Sequence, residues 1–309
     1  MRFQCSFCLS AVSTELPPRT KLECPSCGHS CFVPATPFEE NCIIGDFVIG
    51  EKIGSGSIGK VYHAVQLSLG REVALKILSP ELSSPKFIDS FLKEARAAAQ
   101  LSHVNLVQAF AFGEENGICY MAMSYIKGET LSDRLEREKR IPIDEALHIS
   151  QQVAEALFYA WEDSRLIHRD VKPDNIMITT DGIVKLTDMG LAINQEDWNE
   201  DIEISGSPSY MSPEQFAGEE LDCRCDIYSL GITLYQMISG QLPFVGKSFQ
   251  EIAAQHFNEE PVPLHRLNIG VTLRVSNLVK KMMEKLPEDR FEDYESLLKT
   301  LWNLRHHTA

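Results

Sequence analysis

The sequence has no long apolar run. Its most hydrophobic stretch, Ile227 to Ile238, is interrupted by Ser229, Thr233 and Gln236, and it falls short of the roughly 18 to 20 residues that a membrane-crossing helix needs. No transmembrane span is expected. No secretory leader is expected either: Arg2 and Phe3 lead into Gln4, Cys5 and Ser6, with no apolar region of about 7 to 15 residues. A cytoplasmic address is the expectation. Basic residues are few beside acidic ones, 29 Lys and Arg against 44 Asp and Glu, for a net charge of −15. That balance argues against broad binding to nucleic acid or to anionic membrane, and weakly favours partners with basic segments. Cysteine is sparse over most of the chain. Five of the nine lie before residue 32, and Cys42, Cys119, Cys223 and Cys225 make no paired framework, so the asymmetry points to a metal and not to disulfides. Internal repeats and low-complexity segments are absent.

What is present is an ordinary globular composition, 44% hydrophobic over 309 residues, enough for a sizeable core plus an appendage. Residues 1–33 carry the clustered cysteines. Residues 34–45, with Pro34, Pro37, Glu39 and Glu40, read as a polar, turn-prone linker. The main domain then spans 46–305. Phe47 to Ile53, Lys60 to Gln66 and Glu72 to Leu78 are rich in Val, Ile and Tyr between Gly and Ser breaks, which predicts antiparallel strands. Phe87, Phe91, Ala95, Ala98 and Leu101 recur at helical spacing, and Gly117 to Ile126 reads as a further strand pair. Helical periodicity dominates afterwards, through Ala146 to Ala160, Ile227 to Ile238, Ile252 to Phe257 and Val275 to Met283. A sheet-rich first third and a helix-rich remainder predict two lobes with a ligand cleft between them.

The cysteines Cys5-x2-Cys8-x15-Cys24-x2-Cys27 have the spacing of two metal knuckles suited to tetrahedral zinc. Pro25 and Gly28 favour the tight turn of the second pair, and the whole is similar to a zinc ribbon. Cys31 and His29 are spare ligands that a closed four-thiolate site does not need. Some 30 residues bury too little apolar surface to fold alone, so the metal is expected to fold them. The only basic residues of the first 30, Arg2, Arg19 and Lys21, are opposed by Glu15 and Glu23. A protein partner, or docking on the main domain, is expected over nucleic acid.

Gly54-Ser55-Gly56-Ser57-Ile58-Gly59 lies between two predicted strands, where glycine amides can approach phosphates; alone, it reads equally as a flexible hairpin. Val73-Ala74-Leu75-Lys76 places a lysine on a half-buried strand, where it needs an anionic partner. Glu94 on the following helix is the candidate, for phosphate positioning or as a plain structural ion pair. His168-Arg169-Asp170-Val171-Lys172-Pro173-Asp174-Asn175, followed by Asp188-Met189-Gly190, is the decisive segment. Asp170 is a candidate base for a hydroxyl nucleophile, Lys172 can neutralise a transferring phosphoryl, and Asn175 and Asp188 offer the hard oxygens preferred by Mg²⁺.

These motifs resemble the eukaryotic-type (Hanks-type) serine/threonine protein kinases, from about Phe47 to about Leu304. The resemblance implies an α+β bilobal kinase fold, with a β-rich N-lobe over about 46–123 and a helical C-lobe over about 127–305. It implies transfer of the γ-phosphoryl of ATP to Ser/Thr hydroxyls of protein substrates, with Mg²⁺ or Mn²⁺. Catalytic roles then fall to Asp170, Lys172, Lys76, Glu94, Asn175 and Asp188. The nucleotide would meet Ile53, Gly54, Ser55, Gly56, Ser57, Ile58 and Gly59, with Val61, Ala74 and Met177 about the adenine, Met123 as gatekeeper and Ser124, Tyr125 and Ile126 as hinge. Ser212-Pro213-Glu214 stands for the family's Ala-Pro-Glu, with Glu214 pairing with Arg290, and Asp226 braces the catalytic loop. A lysine two residues after the catalytic aspartate is the serine/threonine pattern, and Gly206 to Gln215 is similar to bacterial members.

Met189 for phenylalanine, Ile58 for an aromatic and Ser124 for an acidic residue depart from the family pattern without removing a phosphate- or metal-touching group. Between Met189 and Ile204 there is no Ser, Thr or Tyr, whereas Glu196, Asp197, Glu200, Asp201 and Glu203 are acidic. Three readings stand: Glu203, helped by Asp201, pairs with Arg169 in place of a phosphate; the acids are a solvated loop; or Ser205 is a phosphorylated switch. A non-catalytic kinase-fold scaffold and a zinc-ribbon adaptor are the competing functions.

Overall fold

A computed structural model describes residues 1–56, 59–79, 85–195, 205–267 and 270–306, and for 85–87 and 90 the backbone alone. The chain forms two compact units, Met1–Gln100 with Gln108–Ile126, and Leu101–Val107 with Lys127–Ala309.

The first unit opens with two short hairpins, β1 (Arg2–Gln4) with β2 (Ala11–Ser13) and β3 (Lys21–Glu23) with β4 (Ser30–Phe32). Phe3, Cys5, Val12, Cys24 and Cys31 form their own small buried cluster. A six-stranded antiparallel sheet follows in the order β5 (Ile43–Ile44), β6 (Phe47–Ser55), β7 (Gly59–Gln66), β8 (Arg71–Leu78), β10 (Ile118–Ser124), β9 (Ala109–Glu115). β8 runs through its centre and is buried from Val73 to Leu78, a stretch that is apolar except for Lys76. Helix α1 (Pro85–Gln100) buries Phe91, Ala95 and Ala98, with Phe91 tilted against Phe112 at 5.8 Å.

Two expectations change here. Gly117 to Ile126 holds a single strand, β10 (Ile118–Ser124), and its partner β9 precedes it. The turn is Asn116-Gly117, both at positive φ (52° and 78°), which is the backbone a two-residue hairpin loop demands. Nor is 34–45 a free linker. Asn41 N–H donates to Ile49 O at 2.7 Å, Ile49 N–H donates to Cys42 O at 2.8 Å, and Ile43–Ile44 is an edge strand of the main sheet. Gly45 (φ +58°) and Gly113 stand where a Cβ would fall 2.1 and 2.3 Å from the Tyr120 hydroxyl, so both glycines make room for that ring.

The second unit is helical. α2 (Leu131–Glu138) starts from a Thr130/Asp133 capping box. α3 (Ile143–Ser164) packs against α5 (Cys223–Ser239) and α9 (Tyr294–His306). α5 contains the Ile227–Ile238 run and is buried on all sides, which explains its uniform hydrophobicity. Short strands carry the loops between: β11 (Gly128–Thr130), β13 (Ile176–Thr179) and β14 (Val184–Leu186) make one sheet, and β12 (Leu166–Ile167) pairs with β15 (Ile193–Asn194). α4 (Pro213–Ala217), α6 (Phe249–Asn258), α7 (Leu264–Leu267) and α8 (Leu273–Met282) complete the unit. No helix among the described residues is long and apolar enough to cross a membrane.

Candidate active site

β12 delivers the chain into His168–Asn175, a loop with few ladder hydrogen bonds of its own. Asp226 at the start of α5 supplies what the loop lacks: its carboxylate accepts the backbone N–H groups of His168 and Arg169, both at 2.8 Å, and the Tyr294 hydroxyl at 3.2 Å. Burial pushes the Asp226 carboxyl above its ordinary value, and these donors pull against that shift. Arg169 is thereby held at φ +66°, a costly conformation for a side-chain-bearing residue. Gln215, in the capping box that Ser212 gives α4, donates its amide to Arg169 O at 3.0 Å.

On this frame Asp170 is fully engaged. One carboxylate oxygen accepts from Ser207 N–H at 3.0 Å; the other accepts from Lys172 Nζ at 2.7 Å and Asn175 Nδ2 at 3.0 Å. Lys172 Nζ also donates to Ser207 Oγ at 2.6 Å. Asn175 Nδ2 bonds Asp170 O as well, at 2.8 Å, so its amide nitrogen is committed and its oxygen is the atom suited to a hard cation. Thr187 N–H donates to Asn175 O at 2.9 Å, which places Asp188, exposed and at φ +62°, next to Asn175. Among the candidate residues of this unit, Met177 is half-buried on β13, and Met189 is 5% exposed in the turn after Asp188.

Glu214 and Arg290 form a buried bidentate pair at 2.6 and 2.7 Å, as expected. Arg169 donates Nε to Leu191 O at 2.6 Å and a terminal nitrogen to Ser205 Oγ at 3.4 Å, and burial lowers its pKa. The expected carboxylate partner Glu203, with Glu196, Asp197, Glu200 and Asp201, lies outside the described residues.

In the first unit, Lys76 on β8 donates to Glu94 on α1 at 2.5 Å, and both are almost fully buried. An ion pair removed from water in this way persists only with good geometry. Of the glycine loop, Ser57 and Ile58 lie outside the described residues; Ile53 and Ser55 are exposed on β6 and Gly56 N–H donates to Gly59 O at 2.8 Å. Gly59 has a purely steric reason to be glycine, because a Cβ there would fall 2.3 Å from Ile77 O. Gly54 has no such constraint from neighbours. Ala74 is buried beside half-buried Val61 on the adjoining strand, and it pairs in register with Met123. Ser124 N–H donates to Gln108 O at 2.9 Å, Tyr125 meets the His63 ring edge-on at 4.7 Å, and Ile126 is buried.

The four thiols Cys5, Cys8, Cys24 and Cys27 converge, with all Sγ atoms within 4.8 Å of one another. Cys5–Cys27 and Cys8–Cys24 lie at 3.9 and 3.7 Å. A thiolate tetrahedron around zinc, with Zn–S near 2.3 Å, has edges of about 3.8 Å, so the set fits that ion. The two knuckles are alike: Leu9 N–H donates to Cys5 O at 2.9 Å and Gly28 N–H to Cys24 O at 2.8 Å, with φ at +61° and +71°. Backbone N–H groups of Cys8 and Phe7 hold the Cys5 thiol down at about 6, which suits a metal-bound thiolate. Cys31 stays outside the set; burial pushes its thiol up to about 11, and it donates to Cys5 Sγ at 3.7 Å. His29 stacks on Phe7 instead of turning to the thiols.

Two supporting contacts, Tyr294 to Asp226 and Gln215 to Arg169 O, were not legible in the sequence. They join residues 68 and 46 positions apart, and only the capping pattern of Ser212 and Gln215 gave a local hint.

A family profile described as a protein kinase domain matches residues 47–303. The chain is 35% identical over 263 residues to a probable serine/threonine-protein kinase of Clostridium acetobutylicum, covering 84% of this chain and 40% of that protein. It is 36% identical over 267 residues to the serine/threonine-protein kinase PrkC of Bacillus subtilis, covering 84% and 41%. With the serine/threonine-protein kinase PknB of Mycolicibacterium smegmatis it shares 37% identity over 255 residues, covering 80% and 41%. The chain thus spans about two fifths of the length of these curated relatives.

Proposed function

The chain belongs to the protein kinase family, and on that premise we propose that it transfers the γ-phosphoryl group of ATP to serine and threonine hydroxyls of protein substrates. The observation that carries this reading is the engagement of Asp170. Lys172 and Asn175 hold one carboxylate oxygen and Ser207 N–H orients the other, which aims the group for the hydroxyl proton it is to take. Lys172 then balances charge on the transferring phosphoryl, and its position two residues after Asp170 argues for serine and threonine over tyrosine.

The other roles follow from donor chemistry. Lys76, fixed by Glu94, positions the α and β phosphates, and the backbone of Gly54 to Gly59 covers them. Asn175 and Asp188 supply the oxygens for a divalent ion. Magnesium or manganese, when bound, would neutralise charge on the phosphates. Val61, Ala74, Met123 and Met177 give apolar contacts to adenine, and Ser124 to Ile126 offer backbone groups to its edge. The N-terminal knuckles hold one structural zinc in Cys5, Cys8, Cys24 and Cys27. The same segment's backbone contacts with Asn41 and Cys42, just before β5, support an attachment to the kinase domain over nucleic-acid binding. Nine cysteines, four of them at the zinc site and none in a disulfide, fit a reducing, cytoplasmic setting.

The test is transfer of labelled γ-phosphate from ATP to a generic basic protein, followed by acid hydrolysis and separation of phosphoamino acids. Label in phosphoserine and phosphothreonine is expected. Label in phosphotyrosine alone, or none above a boiled control, would contradict the reading and favour a scaffold.

A further inference from the structure

The first zinc knuckle is not a separate bead on the kinase domain: its hairpin is a sheet of its own, but strand β1 is tied to Asn41–Cys42, the residues that lead into the main sheet. β1 pairs with β2 along one edge, and along the other Phe3 bridges antiparallel to Cys42 and Gln4 N–H donates to Asn41 O at 2.7 Å. Asn41 N–H in turn reaches Ile49 O on β6 at 2.7 Å, and Ile49 N–H returns to Cys42 O at 2.8 Å. Side chains back this ladder. Arg2 donates to Gly45 O at 3.3 Å and reaches Glu115 at 3.5 Å, while Glu115 accepts from Gly45 N–H. Hydrogen bonds therefore run unbroken from the residue before the zinc ligand Cys5 to Ile49. Four residues further along the same strand begins the segment Ile53 to Gly56, assigned above to the nucleotide. Between the two, β6 departs from regular register against β7 at Ile49/Lys52 and again at Lys52/Gly54. Irregular pairing holds this half of β6 less firmly than a full ladder would, so the anchor at Ile49 matters more.

We propose that the zinc-clamped knuckle of Cys5 and Cys8 positions β6, so that zinc and nucleotide binding are coupled through Gln4, Asn41 and Ile49. This rests on the zinc and nucleotide assignments made above. Without metal the small cluster of Phe3, Cys5, Val12, Cys24 and Cys31 has too little apolar area to hold the hairpins. β1 then leaves Asn41–Cys42 as an unpaired edge, and the register of β6 loses its outer support. The loop amides meet the phosphates less often in the right place, which weakens nucleotide binding with little effect on the Asp170 cluster in the other unit.

Coupling of this kind is reciprocal. On the intact wild-type chain, zinc affinity is measured by competition with a chromogenic chelator, with and without saturating Mg·ADP. Calorimetry then gives the Kd of Mg·ADP for zinc-loaded protein, for the Cys5→Ser/Cys8→Ser double variant and for Gln4→Pro. The proline removes the N–H that bonds Asn41 O and touches no thiol. Mg·ADP should tighten zinc retention about tenfold, and loss of zinc should raise the Mg·ADP Kd by the same factor, about 1.4 kcal/mol. Gln4→Pro should keep its zinc, raise the Kd and the KM for ATP, and leave kcat at saturating ATP near wild type. Zinc retention indifferent to Mg·ADP overturns the proposal. So does a zinc-loaded Gln4→Pro with the wild-type Kd. If the purified chain takes up no zinc at all, the metal assignment itself fails, and the Gln4→Pro Kd alone then decides whether the knuckle positions β6.

Discussion

Glu214 and Arg290, 76 residues apart in sequence, close a buried bidentate ion pair at 2.6 and 2.7 Å. Arg290 further donates to the carbonyls of Arg224, Glu284 and Lys285, so one guanidinium ties α4 to the start of α5 and the segment just after α8. Arg290→Ala leaves the Glu214 carboxylate buried without its partner and should lower stability by about 3–5 kcal/mol. Lysine cannot reproduce the fork and should recover only part of the loss. Urea unfolding checks both. A destabilisation of Arg290→Ala within experimental error of zero contradicts the role.

His256 gives a pH dependence of known sign. It is buried among Phe216, Phe244 and Tyr228, receives or gives one hydrogen bond through Nδ1 to the Tyr228 hydroxyl at 2.8 Å, and has no partner for Nε2 among the described residues. Burial, reinforced by the nearby charge of Lys285, depresses its pKa from 6.5 to about 3. The folded state therefore holds His256 neutral while the unfolded chain takes up a proton below about 6.5. Its contribution is full above that pH and is lost progressively as pH falls toward about 3. Between pH 7.5 and 5 the loss amounts to about 2 kcal/mol. Unfolding curves at pH 7.5, 6 and 5 should show this slope in wild type and a flatter one in His256→Gln. Equal slopes would contradict the assignment.

The sequence read the chemistry better than the scaffold, for a physical reason. Phosphate handling needs residue types at fixed local spacing, so Asp170, Lys172 and Asn175 were legible, and the structure brings them together with Ser207. The bracing by Asp226 was carried by the family resemblance, yet Tyr294 and Gln215 reach the same loop through contacts that only the packed fold brings near. Gly117 to Ile126 reads as a pair because the true partner of β10, Ala109 to Glu115, carries Gly113 and puts its two phenylalanines on the exposed face, so its sequence shows no apolar/polar alternation. Asn116-Gly117 was the turn signal that resolves it. Prolines and glutamates made 34–45 look like a tether, but Cys42, Ile43 and Ile44 at its end are buried in the sheet.

The metal assignment predicts one zinc per chain in protein purified without chelator, measured by elemental analysis. Cys5→Ser/Cys8→Ser should remove it. Cys31→Ser should keep it, because Cys31 lies beside the thiol set as a donor to Cys5 and not within it. Loss of zinc in Cys31→Ser, or iron in its place in wild type, would contradict the four-ligand site.

Lys76 and Glu94 form the second buried ion pair, at 2.5 Å. Lys76→Met should lower phosphoryl transfer by about 10²- to 10³-fold, since it removes charge aimed at the phosphates. Glu94→Gln keeps a hydrogen-bond acceptor and should be milder. Steady-state rates on the same protein substrate compare the two, and wild-type activity in Lys76→Met would dismiss the pair's role.

The central claim is that Asp170 takes the proton of the acceptor hydroxyl from a position fixed by Lys172, Asn175 and Ser207. The most direct measurement is single-turnover phosphoryl transfer by wild type and Asp170→Asn at saturating Mg·ATP, with Mg·ADP affinity determined for each. The asparagine fits the same space and leaves the nucleotide contacts in place, so affinity should stay close to wild type while the transfer rate falls by about 10²- to 10⁴-fold. A transfer rate within about tenfold of wild type, with nucleotide affinity intact, would contradict the account.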